Sequence, residues 1–310
     1  MAVHIVGSIN IDIIASLERL PLPGETVMAG ATAKLPGGKG ANQAVAAARM
    51  GAQTRMIGAV GDGDAGRWMR DRLAADGIDV SGIEVLEGQE TGTAYIAVDA
   101  EGENQIIVVS GANARLRPCA PVDEGVLLAQ LEVPVATLLP VFAQSKAIRI
   151  LNTAPAVAGA RALFEHVDVL VLNEHELGVY VPADGDDDDL ARRARSLLCR
   201  DGQAVVITLG ANGALAVRSD WHLHVPAVPV IPVDTIGAGD CFCGALAALL
   251  DEGRCLEEAL PCASAAAALC TLGQGAAPSM PTRAAVADLL LGTPTEHALP
   301  IKNASAASLG

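Results

Sequence analysis

Asp234-Thr235-Ile236-Gly237-Ala238-Gly239-Asp240 leads without a break into Cys241-Phe242-Cys243-Gly244-Ala245-Leu246-Ala247-Ala248-Leu249-Leu250. Gly237 and Gly239 free the backbone to turn tightly, and the small apolar run after Asp240 predicts a helix whose first amides are unpaired. Those amides and the positive end of the helix dipole stabilise phosphate-like charge. Asp240 stands where an attacking hydroxyl can surrender its proton. Together these features read as machinery for phosphoryl transfer, although an aspartate there can also serve as an ordinary N-cap.

Outward from this stretch, short β-rich runs alternate with alanine- and leucine-rich ones. Met56–Val60, Ala147–Leu151, Val167–Leu172 and Ala204–Leu209 predict buried strands; Ala41–Met50, Gly66–Asp76, Asp189–Arg200 and the segment after Asp240 predict helices. That rhythm predicts an α/β fold, a doubly wound and mostly parallel sheet flanked by helices, with ligands bound beyond the carboxyl ends of the strands, where Asn173, Gly210 and Gly237 fall. A second texture interrupts it. Thr93–Asp99 and Gln105–Ser110 are strand-like runs joined by Ala100-Glu101-Gly102-Glu103-Asn104, while Ile9–Leu17 and Glu25–Ala29 can add strands on either side of Pro21-Leu22-Pro23-Gly24. They predict a small antiparallel β lid drawn from about residues 9–33 and 91–111. One domain is expected over residues 1–295, with a flexible tail over 296–310, and the acidic run Asp184–Asp189 reads as a solvated loop.

The 310 residues carry a net charge of −15 and are 51% hydrophobic, so a large core is expected, and nucleic acid or an anionic membrane is excluded as the main partner. Seven cysteines, an odd number without a C-x-x-C pair, fit reduced thiols better than a disulfide framework or a zinc site. With no basic leader and no long apolar run, the chain reads as soluble and cytoplasmic.

A second signal is Gly37-Gly38-Lys39-Gly40-Ala41-Asn42-Gln43, followed by the helical run Ala44–Met50. Its glycines allow a close approach of backbone to a polar ligand, and Asn42 offers both a donor and an acceptor, which hydroxyl recognition requires. The spacing is not that of a Walker A loop.

Taken together with Gly7-Ser8-Ile9-Asn10-Ile11-Asp12 and Pro23-Gly24-Glu25-Thr26, these stretches resemble, in order, the N-terminal and C-terminal signatures of the ribokinase-like sugar kinases, and the likeness runs through nearly the whole chain. Within that family, Glu101-Gly102-Glu103-Asn104, Ser110-Gly111-Ala112-Asn113, Gln130-Leu131-Glu132 and Ala276-Ala277-Pro278-Ser279 are similar to the ribose-specific branch rather than to fructokinases or nucleoside kinases.

The resemblance implies transfer of the ATP γ-phosphoryl group to the 5-hydroxyl of D-ribose. Asp240 would be the base, and Gly237, Ala238, Gly239 and Asp240 would supply an anion hole. Asn10, Asp12, Gly38, Lys39, Asn42 and Glu132 match sugar contacts, with Ala94, Ile96 and Val108 covering the sugar from the lid. Asn173, Thr208, Gly210 and Gly213, with Gly237 and Gly239, match the nucleotide site, and Glu176 matches a group that organises Mg2+ through water. A monovalent cation, K+, would be caged by Asp234, Ile236, Cys270, Gly273, Gly275 and Ser279, although Leu272-Gly273-Gln274 departs from the family pattern. The family also implies a homodimer through the lid. A kinase for another sugar or nucleoside is the alternative, and a non-catalytic sugar-binding regulator is the reading from a different class.

Overall fold

The computed structural model describes residues 1–183 and 189–292. Most of the acidic run and the expected tail therefore lie outside the described residues.

Nine strands form the main sheet: β1 (Val3–Val6), β4 (Thr54–Gly61), β5 (Asp79–Leu86), β8 (Val126–Gln130), β9 (Ile148–Asn152), β10 (Val169–Asn173), β11 (Ala204–Thr208), β12 (Ala214–Val217) and β13 (His222–Val225). Their order is β13-β12-β11-β10-β9-β8-β1-β4-β5, parallel from β11 through β5, with β12 and β13 antiparallel at one edge. The central strands are continuous apolar runs because both faces are covered. In β10, Val169 and Val171 join the core on one face while Leu170 and Leu172 join the core on the other.

The helices are α1 (Lys39–Arg49), α2 (Asp64–Ala75), α3 (Val135–Gln144), α4 (Arg161–Phe164), α5 (Glu174–Tyr180), α6 (Leu190–Arg195), α7 (Ala238–Asp251), α8 (Leu256–Cys270), α9 (Ala276–Ser279) and α10 (Arg283–Leu290). None of them is long and apolar enough to cross a membrane. The alanine-rich composition has a packing purpose where α1 meets α7. A Cβ on Gly244 would lie 2.4 Å from the Gln43 carbonyl oxygen and 2.6 Å from Ala46 Cβ, so only glycine lets these helices approach so closely. The seven cysteines are free thiols, and Cys241, Cys243 and Cys270 are buried.

The lid is a separate four-stranded sheet, β3 (Ala31–Gly37), β2 (Asn10–Ser16), β6 (Gly92–Val98) and β7 (Asn104–Val109), in the order β3-β2-β6-β7. Its outer pairings are antiparallel and its central one, β2 with β6, is parallel. Two expectations need correction. Glu25–Ala29 is not a strand: the Glu25 carboxylate pairs with Arg19 and accepts from the Leu22 amide, closing the Pro21–Gly24 turn, so the edge strand starts only at Ala31, opposite Ser16, and runs to Gly37. The helix expected over Asp189–Arg200 stops at Arg195, where the Leu197 and Leu198 amides turn back to the Ala194 and Arg195 carbonyls, and the Gln203 side chain then takes the Cys199 and Arg200 amides.

The lid meets the body at a crowded point around Asn10. Asn113 accepts from the Ile9 amide and donates to both the Ile9 carbonyl and Asn10 Oδ1. A Cβ on Gly92 would lie 2.1 Å from Asn10 Oδ1, and one on Gly38 only 2.7 Å from the Asn10 amide.

Candidate active site

The expected helix start is present. Gly237, with φ +82°, caps α7 in the left-handed region, and a Cβ there would lie 2.5 Å from that of Ala276. Ala238, Gly239 and Asp240 form the first turn, whose amides lack intrahelical partners by construction. Asp240 is buried. Its Oδ2 accepts from Asn42 Nδ2 at 2.9 Å and its Oδ1 from Gln43 Nε2 at 3.0 Å.

At the other wall, Gly38 (φ +88°) precedes α1, and a Cβ on Gly40 would lie 2.7 Å from the Ser8 backbone. This packing sets Lys39 and Asn42 on the face of α1 that looks toward α7. The Lys39 amide donates to Glu132 Oε2 at 3.1 Å and its ammonium lies 3.9 Å from Glu132 Oε1, while Ser8 Oγ donates to Glu132 at 2.6 Å. Glu132 is therefore a brace at the foot of α1 as well as a sugar-contact candidate.

The charges here are mutually dependent. Burial pushes Asp240 up, with Lys39 and the two amide donors opposing it. Burial, then Glu132 and Asp240, push Asp12 up to about 6. The Asp240 carboxylate raises Lys39 above the ordinary range for an ammonium, against the opposing effect of burial. Lys39 is thus a cation set among carboxyl groups that burial pushes up and that it pulls back down.

One cavity is lined by Lys39, Asn173, Glu176, Thr208, Gly237, Gly239 and Asp240, together with Asn152 and Cys243. Asn173 and Glu176 make a reciprocal capping box at the start of α5: Asn173 Oδ1 accepts the Glu176 amide at 2.8 Å, and Glu176 Oε2 the Asn173 amide at 2.9 Å. Burial raises the Glu176 carboxyl. Thr208 ends β11 directly opposite Asn173. Gly210 (φ +55°) and Gly213 (φ +91°) lie in the turn between β11 and β12 and are not among the residues lining this cavity.

Behind Gly237, Asp234 accepts from the amides of Ile236 and Gly275, each at 2.9 Å. A Cβ on Gly273 would fall 2.4 Å from Ser279 Oγ, and that hydroxyl donates to the Gln274 carbonyl at 3.1 Å. Asp234, Ile236, Gly273, Gly275 and Ser279 thus form one loop cluster, rich in hard oxygen donors of the kind an alkali cation takes. Cys270 ends α8 with its thiol 3.9 Å from the Met280 sulfur, and its carbonyl accepts from the Gly273 amide at 3.4 Å. The far end of α1 supports this cluster: Arg49 Nη1 donates to the carbonyls of Ala277 and Met280 at 3.1 and 2.8 Å.

In the lid, Ala94 and Ile96 are buried, but Val108 is half exposed. Sequence reasoning gave no role to Gln43, Asn152 or Ser8. A signal for Gln43 was present, since Lys39, Asn42 and Gln43 sit at i, i+3 and i+4 and therefore share one helix face.

Residues 2–283 match the pfkB family carbohydrate kinase. The chain is 38% identical over 296 residues to a Bacillus subtilis ribokinase, covering 92% of this chain and 98% of that one. It is 33% identical to a Salmonella typhi deoxyribokinase, with 91% and 96% covered. The structure of Arabidopsis thaliana ribokinase complexed with ribose and ATP superposes with a TM-score of 0.83 at 31% identity, covering 93% of this chain and 98% of that one. The architecture, the buried aspartate at a glycine-capped helix start and these similarities agree: the chain belongs to the pfkB family of carbohydrate kinases.

Proposed function

We propose that the protein is an ATP-dependent ribokinase, transferring the γ-phosphoryl group of ATP to the 5-hydroxyl of D-ribose. The observation that carries this reading is the buried Asp240 carboxylate, held by Asn42 and Gln43 in the first turn of α7 and facing a cavity shared with Lys39 and the Asn173–Glu176 pair.

Ribose would lie between α1 and the lid. Asn10, Asp12, Asn42 and Glu132 offer hydroxyl partners, so a sugar lacking one leaves a buried group unpaired. Asp240 takes the proton of the attacking hydroxyl. A carboxylate suffices because the transition state is loose, and positioning with charge stabilisation does most of the work. The amides of Gly237 through Asp240 point at the transferring group and stabilise its charge without reorganising. ATP would extend from this helix start toward Thr208, Gly210 and Gly213.

Two cations belong to this reading. Asn173 and Glu176 present oxygen atoms suited to holding Mg2+ through water, and the loop around Asp234, Gly273, Gly275 and Ser279 presents those suited to K+. When bound, they neutralise phosphate charge and stiffen the anion hole. The lid strand β7 exposes Ile106, Ile107, Val108 and Val109 along an open edge, which supports a homodimer formed through the lid.

ADP release with ATP and Mg2+ tests the reading, with ribose compared against deoxyribose, fructose and adenosine, each with and without K+. Turnover preferring ribose and raised by K+ is the expected result. Preference for deoxyribose would favour the second reading, which the similarity to a deoxyribokinase keeps in play. The absence of turnover on every acceptor would overturn both.

A further inference from the structure

The Asp240 carboxylate is backed by a chain of buried amides. Gln43, fully buried in α1, donates from Nε2 to Asp240 Oδ1 at 3.0 Å and to Asn152 Oδ1 at 3.2 Å. Its Oε1 accepts from Gln130 Nε2 at 2.6 Å. Gln130, also fully buried, is the last residue of β8, paired in register with Asn152 of β9. Its own Oε1 has no hydrogen-bond partner among the described residues, and the Gly7 backbone closes over it so tightly that a Cβ there would lie 1.9 Å away.

The polarity of this chain is fixed by chemistry. A carboxylate only accepts, so Gln43 must turn its NH2 toward Asp240, which sends its carbonyl to the far side. There it needs a donor, and Gln130 meets the need only by turning its own NH2 inward. The unpaired Gln130 oxygen is the cost of that order, and such a cost persists where the surrounding structure needs it. The ends of β8 and β9 thereby determine the direction in which Asp240 is held.

We propose that Gln43 is the positioning residue of the phosphotransfer base and that Gln130 sets its polarity, holding Asp240 Oδ1 so that the carboxylate faces the cavity. The proposal rests on the reading of Asp240 as base. Gln43 touches neither the sugar nor the phosphate in this scheme and acts only through Asp240. As a donor to the ionised form, it also counters the burial that pushes the Asp240 carboxyl up.

The test is the pH profile of ADP release for the full-length protein with ATP, Mg2+, K+ and its best acceptor sugar, in Gln43→Leu, Gln130→Leu, Gln130→Glu and Asp240→Asn. For Gln43→Leu the expected result is a kcat lowered about 10- to 100-fold, a sugar KM within about twofold, and an acid limb moved up by about one pH unit. Gln130→Leu should show the same pattern more weakly, since Gln43 keeps its donor but loses the partner that orients it. Gln130→Glu, which burial keeps protonated and so still able to donate to Gln43 Oε1, should keep kcat closer to the wild type than Gln130→Leu does. If Gln43→Leu and Gln130→Leu fold and keep the wild-type kcat and acid limb while Asp240→Asn is inactive, this proposal fails and the base stands. If Asp240→Asn retains turnover, both fail.

Discussion

The two sheets are made of similar strands but differ in what covers them. The nine-stranded sheet is clad on both faces, and the side chains of β8, β10 and β11 are buried up to the carboxyl ends, where Asn173 is exposed and Thr208 partly so. In the lid, every residue of β7 is exposed and β3 is open along most of its length. The body carries the groups of the proposed chemistry: the α7 start, Asn173, Thr208 and the amides behind Asp240. The lid carries Asn10 and Asp12 on a sheet with little core of its own. On the proposed reading, the phosphoryl-transfer groups stand on the part with the larger core, while the sugar contacts are shared between that part, through Lys39, Asn42 and Glu132, and the lid, through Asn10 and Asp12.

The largest effects should come from the body. Asp240→Asn keeps the shape and removes the proposed proton acceptor, and turnover should fall by about 10²- to 10⁴-fold in single-turnover phosphate transfer, with little change in melting temperature. A loss confined to KM would place the chemistry elsewhere.

Gly237→Ala should cost about 10²- to 10³-fold in kcat, because the positive φ and the contact with Ala276 both have to give and the anion-hole amides turn with them. An unaltered kcat would show that these amides do not face the reacting phosphate.

Lid effects should be smaller and of a different kind. Asp12→Asn should raise the sugar KM about 10- to 100-fold with kcat changed far less, the cost of one mispaired hydroxyl. The same substitution carries a pH signature. Asp12 ordinarily titrates at 3.8 and is raised to about 6 in the folded chain. Ionising it therefore costs the folded state free energy that the unfolded chain does not pay. Below pH 4 the wild type should lose nothing relative to Asp12→Asn. Between pH 4 and above 6 it should fall behind by roughly 2–3 kcal/mol, read by urea unfolding at several pH values. A pH-independent difference would contradict the raised Asp12 carboxyl.

The smallest effect on chemistry is expected at Ile107→Lys, on the outer lid strand. Sedimentation should show a shift from dimer to monomer, with the melting temperature of the body changed by no more than a few degrees. An unchanged association state would remove the lid from the interface.

The same contrast explains what could be read in the sequence. The body's strands announce themselves as unbroken apolar runs, and the helix start at Gly237–Asp240 combines glycine, aspartate and small apolar residues in a pattern with few other uses. Three of the four lid strands are equally legible, but β3 is harder because it is open along most of its length and carries no burial pattern. Ala31-Thr32-Ala33-Lys34-Leu35-Pro36-Gly37 alternates only weakly, with small alanines at its apolar positions and its first four residues all exposed, and its proline is tolerated because β3 is an edge. The more apolar Glu25–Ala29 competed for the assignment and lost, since Glu25 is spent on Arg19 and the turn. Gln43 and Gln130 were illegible as a pair, because their contact depends on a close approach of α1 to β8 that no local pattern encodes.

The glycine-packed crossing at Asn10 has a mechanical consequence. Gly38, Gly92 and Asn113 all press on that one residue, so a rotation of the lid about this crossing would leave it in place. Displacement grows with distance from a pivot. Asn10 would stay nearly still through such a swing, and Asp12, about two strand residues or 7 Å further out, would travel. A sugar bound across both would be grasped first by a fixed jaw and then by a moving one.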